Sequence, residues 1–193
     1  MGRPRQFDET DALNAAMHVF WLKGYEATSM TDLMEAMNLH KGSIYKAFGD
    51  KHTLFMTALK HYLAQGDAGL QRSIVMAPTP IEAIRGFLRL SLRQCTTGTV
   101  IRGCFMMNSL VELAPHDDDV RELIADYMSK LEAHLSSLVE KGQRLGQFRT
   151  DRTAKELVSY LMFVKAGFLT GSKAGLTFQD PFTVIDVALG VLF

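Results

Sequence analysis

Lys41, Ser43, Tyr45 and Lys46 fall in the short run "KGSIYKAF", interleaved with Ile44 and Phe48. At helical spacing the two apolar residues can face a core while the ammonium, hydroxyl and phenol groups face outward. An outward row of such donors can hold a polyanion, with lysine and tyrosine on phosphates and serine near base edges. Charge placement agrees, because Lys41, Lys46, Lys51 and Lys60 stand against Asp50 alone between Asn38 and His61. Arg3 and Arg5 extend the basic character into the N-terminal tail, where an arm could follow a minor groove or the phosphate backbone. The whole chain has 21 basic and 21 acidic side chains, so any nucleic-acid surface must be local rather than a general coating.

Other chemistry-bearing residues point nowhere as definite. His18, His40, His52, His61, His116 and His134 do not pair with Cys, Asp or Glu in a hydrolase, kinase or metal pattern, so an enzyme is not expected. No cofactor is implied. "HDDD" at 116–119 could attract a cation, but acidic residues opening a helix are explained by its dipole. Cys95 and Cys104 are too few for a disulfide framework and match no zinc spacing, and they are expected to be reduced thiols.

These residues must be positioned by helices. The 193 residues suffice for one large helical domain or a small one joined to a larger, and 47% apolar with 22% charged residues is a globular balance. The first ten residues lack an apolar signal core and no run approaches a membrane span, which gives a cytoplasmic expectation with no membrane partner. From Asp8, Ala12, Ala15, Ala16, Val19 and Phe20 form a helical face that Gly24 can end. Thr28 or Ser29 can cap a second, two-turn helix with Met30, Leu33, Met34 and Met37 inward. Asn38 tolerates the left-handed conformation, so "NLHKG" allows a reversal into a third short helix. Gly49 and Asp50 break and recap the chain before a long helix through Leu54, Phe55, Leu59 and Leu63. "APTPIEA" is the clearest later punctuation, with Pro80 suited to a first turn. "TTGTVIRG" reads as a loop, although "TVI" is β-prone, and helices follow at 104–114, 116–148, 153–171 and 182–193. The fold expectation is all-α, with residues 1–49 as a helix-turn-helix unit and 50–193 as a larger helical domain beginning with the connecting helix.

The stretch "AMHVFWLKGYEATSMTDLMEAMNLHKGSIYKAFGDKHTLF" resembles the TetR family of bacterial transcriptional repressors over roughly residues 8 to 60. It carries the Phe-x-x-x-Gly-Tyr-x-x-Thr-Ser run, the Lys-Gly-Ser-Ile-Tyr segment, Phe48 and Lys51 in order. The resemblance implies double-stranded operator DNA as partner, phosphate contacts from the positions of Thr28, Lys41, Tyr45 and Lys51, and Gly42 and Ser43 close to the groove. Asn38 replaces a usual glycine, His40 a common serine, and Ala47 a histidine that often contacts phosphate.

The larger half fits the ligand-binding and dimerisation domain of such repressors. Leu157, Leu161, Val164 and Phe168 lie on one side of a helix and, with the apolar terminal segment, suit a four-helix homodimer interface; the other reading is intramolecular core. A small, largely apolar effector is expected among Phe87, Cys104, Phe105, Met107, Asn108, Met128 and Phe163, although a Met and Phe stripe also suits plain core. Cys104 near a helix N-terminus suits either a sensor thiol, as in some TetR-like repressors of electrophile-response operons, or an inert buried residue. The alternative function is an all-helical dimeric adaptor without specific DNA binding.

Overall fold

The structure, a computed structural model, describes residues 7–94, 96–97, 100–176 and 180–193. Arg3, Arg5 and Cys95 lie outside the described residues. Helix α1, Glu9–Lys23, starts at Asp8, whose carboxylate accepts from the amides of Thr10 and Asp11, and stops at Gly24 with φ 85°. Helix α2, Met30–Met37, is opened by a reciprocal cap in which Ser29 and Asp32 each accept from the other's amide. Asn38 then turns the chain at φ 51°, and among the described residues no other non-glycine has positive φ. Helix α3, Lys41–Phe48, follows at once, so the reversal that the asparagine makes available is the one the chain uses.

Asp50 caps α4, Lys51–Met76, a helix about 39 Å long at 1.5 Å per residue. Its first half closes the small core of Phe20, Leu33, Ile44, Leu54 and Phe55, all at most 1% exposed. Its second half packs on α5, Pro80–Gln94. After α6, Phe105–Glu112, come the long helices α7, Asp118–Arg144, and α8, Ala154–Lys173, which lie against each other. The connection between them folds back on α7 at Gly142, where a Cβ would stand 2.1 Å from the Phe148 ring. Helix α9, Pro181–Leu189, packs on α5 and α8 and is followed by a 3-10 turn, Gly190–Leu192. Buried apolar residues from Ala12 to Leu192 form one continuous core.

The helical expectation holds, with one difference. The segment read as a loop contains a minimal antiparallel ladder, β1 at Thr96–Thr97 with β2 at Val100–Ile101, pairing Thr96 to Ile101 and Thr97 to Val100. Threonine and β-branched residues suit such pairing, but two residues a side are below what a period-two pattern can reveal.

Asp32 also ties α2 to the end of α1. The hydrogen bond from Lys23 Nζ, followed by those from the Ser29 amide and hydroxyl, brings its pKa from 3.8 to about 2. A carboxyl depressed in the folded state stabilises above its unfolded pKa, and that stabilisation is lost as pH falls toward the folded value. Asp32→Asn should therefore lower Tm at pH 7, and the gap to the unmodified protein should close between about pH 4 and 2. A gap independent of pH over that range would show that the carboxylate charge is not what holds this corner.

Candidate functional site

Helix α3 presents one charged and polar face. Ile44 is fully buried, while Lys41, Gly42, Tyr45 and Lys46 are exposed and Ser43 is half-buried. A Cβ at Gly42 would meet nothing within 4 Å, so this position is open toward any molecule laid along the helix. Tyr45 is 44% exposed, and Lys41 Nζ lies 5.7 Å from its ring centroid. His40 gives α3 no side-chain cap, although the Ser43 amide donates to the His40 carbonyl at 2.9 Å. Lys51, the first residue of α4, holds its ammonium 4.3 Å from the Tyr25 ring centroid. Thr28 departs from its expected place at this surface: it is 1% exposed and its hydroxyl donates to the Gly24 carbonyl at 2.5 Å. The hydroxyl is occupied in closing the α1–α2 corner and does not face outward.

Contacts on two sides fasten this unit to the rest of the chain. Trp21 Nε1 donates to the Gly103 carbonyl at 2.9 Å, with Arg102 stacked 4.2 Å above the indole. Burial and then the Arg102 charge lower the pKa of His18, so its neutral Nδ1 can accept from Arg102 Nη1 at 2.8 Å. Glu112, at the end of α6, accepts from the Glu26 amide at 2.9 Å. Gly24 has two reasons to be glycine there: its φ of 85°, and a Cβ that would lie 2.7 Å from Glu112 Oε2. On the other side His52 Nε2 meets Asp117 Oδ2 at 2.8 Å. Burial pulls the Asp117 carboxyl upward, but the bonds from Val120 N–H and His52 outweigh it and leave the pKa below the usual value. Asp119 brings a third possible ligand atom into this group, the three lying within 4.8 Å of one another. Both Asp117 oxygens are already bonded at the positive ends of α4 and α7, which favours a joint over a cation site.

Behind the joint, α4, α5, α6, α7 and α8 line a partly open cavity of about 50 Å³. Phe87, Cys104, Met107 and Met128 line it as expected from sequence. Phe105, Asn108 and Phe163 are not among its lining residues. Phe105 is 1% exposed and turned into an aromatic cluster with Trp21, Phe55 and Tyr62, at centroid distances of 6.2, 5.7 and 5.6 Å. Asn108 donates to the Arg102 carbonyl and helps shape the loop before α6. Phe163 is 78% exposed, because the inward stripe of α8 is Met162, Lys165, Ala166 and Leu169, one position away. Tyr62, Gly66, Ser91, Met106, Tyr127 and Leu131 complete the lining and were missed from sequence. The i, i+3, i+4, i+7 spacing of Met162, Lys165, Ala166 and Leu169 was the available signal, obscured by the lysine within it. Cys104 is 7% exposed at the N-cap of α6, with Sγ 3.4 Å from Tyr62 Oη.

Residues 12–57 match the family model described as "Bacterial regulatory proteins, tetR family", and residues 80–176 match "Tetracyclin repressor-like, C-terminal domain". The uncharacterized HTH-type transcriptional regulator YezE of Bacillus subtilis (strain 168) is 28% identical over all of both chains. The HTH-type transcriptional repressor ComR of Escherichia coli (strain K12) is 27% identical over 97% of this chain and 90% of its own. A cysteine mutant of the regulator CifR, complexed with 26-bp double-strand operator DNA, is 30% identical, covers 99% of this chain and 100% of its own, and has a TM-score of 0.85.

Phe105 is the side chain on which the joint closes. Phe105→Ala should cost about 3–5 kcal/mol of unfolding free energy in a denaturant titration. A cost below about 1 kcal/mol would mean that the joint closes without it.

Proposed function

The chain belongs to the TetR family of bacterial regulatory proteins, and from that premise we propose that it is a homodimeric repressor released from a palindromic operator by a small, largely apolar effector. The observation that carries this reading is the outward face of α3, where Lys41, Gly42, Tyr45 and Lys46 stand exposed on a helix whose other side is anchored by buried Ile44. Such a helix enters a major groove, while Lys51 at the start of α4 is placed for the phosphate backbone. Functionally we divide the chain at Gly49, with residues 1–49 reading DNA and 50–193 binding effector and partner. A regulator of this kind works on the chromosome, in the cytoplasm.

The dimer reading is supported by apolar surface on α8 and α9. Tyr160, Phe163 and Gly167 form one exposed stripe on α8, and Val187 and Phe193 are 75% and 65% exposed on the neighbouring terminal segment. Val164 and Phe168, assigned to this interface from sequence, are partly buried and face α5 and α9. An apolar stripe of this kind on two adjacent helices suits a two-fold four-helix contact. That contact would set the two α3 helices for half-sites about one helical turn, or a multiple of it, apart.

Duplexes selected from a random pool should be palindromic. Against the selected site, Lys51→Ala and Tyr45→Ala should weaken binding to all sequences alike, and Lys51→Ala should reduce the salt slope by about one. Unchanged affinity in both folded variants would remove α3 and the start of α4 from the DNA interface. Phe163→Glu should give monomers or aggregates in sedimentation, and should lose operator affinity with dimerisation. An intact Phe163→Glu dimer would place the subunit contact elsewhere.

A further inference from the structure

The cavity among α4 to α8 is walled mainly by Phe87, Met106, Met128, Leu131 and Met162. Five polar side chains interrupt that apolar wall, and four of them have contacts within the protein itself. Ser91 donates to the Phe87 carbonyl at 2.9 Å, Tyr62 Oη and Cys104 Sγ meet at 3.4 Å, and the Lys165 ammonium lies 4.7 Å from the centroid of the Phe87 ring. The fifth is Tyr127, whose Oη has no hydrogen-bond partner among the described residues, although its ring is partly buried and packed on the core. The backbone makes room for this hydroxyl. Gly66 stands opposite it on α4, and a Cβ there would come 2.6 Å from the phenol oxygen. Gly66 lies in the interior of Lys51–Met76, where glycine weakens a helix relative to alanine. A helix-weakening glycine and an unpaired hydroxyl thus meet at one point of the cavity wall, two costs that alanine at one position and phenylalanine at the other would remove together.

Burial, then Cys104 and Asp67, push the Tyr127 pKa up to about 12, so the phenol keeps its proton at physiological pH and is offered as a donor. Low polarity and the Asp67 charge disfavour a negative oxygen at this point, a guest's as much as the phenol's own. Resting on the effector reading above, we propose that Tyr127 selects the effector: an uncharged molecule whose carbonyl oxygen accepts the phenol hydrogen while its apolar body lies among the methionines and Phe87. A wholly apolar guest takes water from the phenol and gives no bond in return. An ammonium group has no lone pair with which to accept. A ketone, ester or amide oxygen completes the bonding of the phenol and carries no charge into the wall. The narrow volume, about 50 Å³ behind an open mouth, favours a compact guest.

The test uses the full chain and matched guests that differ at a single group: cyclohexanone against methylenecyclohexane, acetophenone against α-methylstyrene, with benzoate and benzylamine as the charged arms. Affinity is read by calorimetry or, for sparingly soluble guests, from the rise in Tm at known free concentration, and release from the selected operator is read separately. At least one ketone should bind about three- to tenfold more tightly than its hydrocarbon, the range of a neutral hydrogen bond, and more tightly than either charged guest. Tyr127→Phe should bring that ratio to about one. Without guest, its Tm should equal or exceed that of the unmodified protein, because an unpaired hydroxyl is removed and the ring is kept. Gly66→Ala, whose Cβ crowds the phenol oxygen, should also erase the ratio. No binding by any ketone, equal binding of ketones and hydrocarbons, tighter binding of benzoate or benzylamine, or a ketone preference that survives Tyr127→Phe would overturn the proposal. A lower Tm for Tyr127→Phe without guest would also overturn it, since the hydroxyl would then be bonded within the protein. If ketones bind as described but no duplex is ever selected, the repressor reading fails while the role of Tyr127 stands; if a duplex is selected and ketones bind no better than hydrocarbons, the failure lies with Tyr127 alone.

Discussion

The closing of Phe105 on Trp21, Phe55 and Tyr62 is the contact on which the architecture depends. These rings come from α6, α1 and α4, so a single cluster joins the helix-turn-helix unit, the connecting helix and the floor of the cavity. Trp21 is the one tryptophan in the chain, and its indole N–H is fixed by the Gly103 carbonyl rather than left unpaired in the core. An aromatic cluster of this size contributes both buried area and preferred edge-to-face geometry, with about 0.5–1.5 kcal/mol per ring pair beyond burial. Loosening it would separate α1 from α6 and leave the buried Trp21 donor without its acceptor, a coupled loss rather than a sum of small ones.

That joint also explains how a guest in the cavity can be felt at α3. Helix α4 carries Tyr62 and Gly66 in the cavity wall and, two to four turns earlier, Phe55 in the cluster and Lys51 at the end proposed to face DNA. Helix α6 carries Met106 and Met107 in the wall and Glu112 at its far end, bonded to the Glu26 amide beside the α1–α2 corner. Two stiff helices therefore each touch both regions. A guest that shifts either by a fraction of a turn must strain the Glu112 or His52 contact, or move the whole three-helix unit with it. A difference of about 1–3 kcal/mol between the two arrangements gives roughly 5- to 150-fold coupling, which is the scale of one such hydrogen-bonded contact.

Local signals made the elements legible in sequence. Asn38, Gly24, Ser29 and Asp50 announce their own turns and caps, and each does in the structure what its chemistry favours. The resemblance around "KGSIYKAF" covered the unit whose fold is fixed by short-range contacts. The cavity was legible only in part, because its lining is assembled from five helices whose rotation about their own axes decides which residues face it. Periodicity gives the stripe of a helix but not its phase to within one residue, so Phe163 was placed inside and Lys165 overlooked. The same ambiguity sent Phe105 to the cavity when its neighbour Met106 is the residue that lines it. Thr28 illustrates a different failure: a hydroxyl near a basic surface can be consumed by a carbonyl four residues back, and sequence does not say which acceptor wins.

The neutral total charge has a physical consequence for a DNA-binding reading. With 21 charges of each sign, a single subunit has little long-range attraction for a polyanion, and its few lysines near α3 act only at contact distance. Acidic side chains on α1 and α2, such as Asp32 bonded to Lys23, are partly used up inside the unit and do not face the groove alone. Affinity must then come from doubling the same small set of contacts across a two-fold axis, which makes the spacing of the two α3 helices the variable that controls binding. In the proposed dimer that spacing is transmitted from the α8–α9 stripe through the cavity walls to α4. In that proposed arrangement a small guest needs no contact with DNA to release it, since altering the angle of one long helix at the Phe105 joint would misplace both half-sites together.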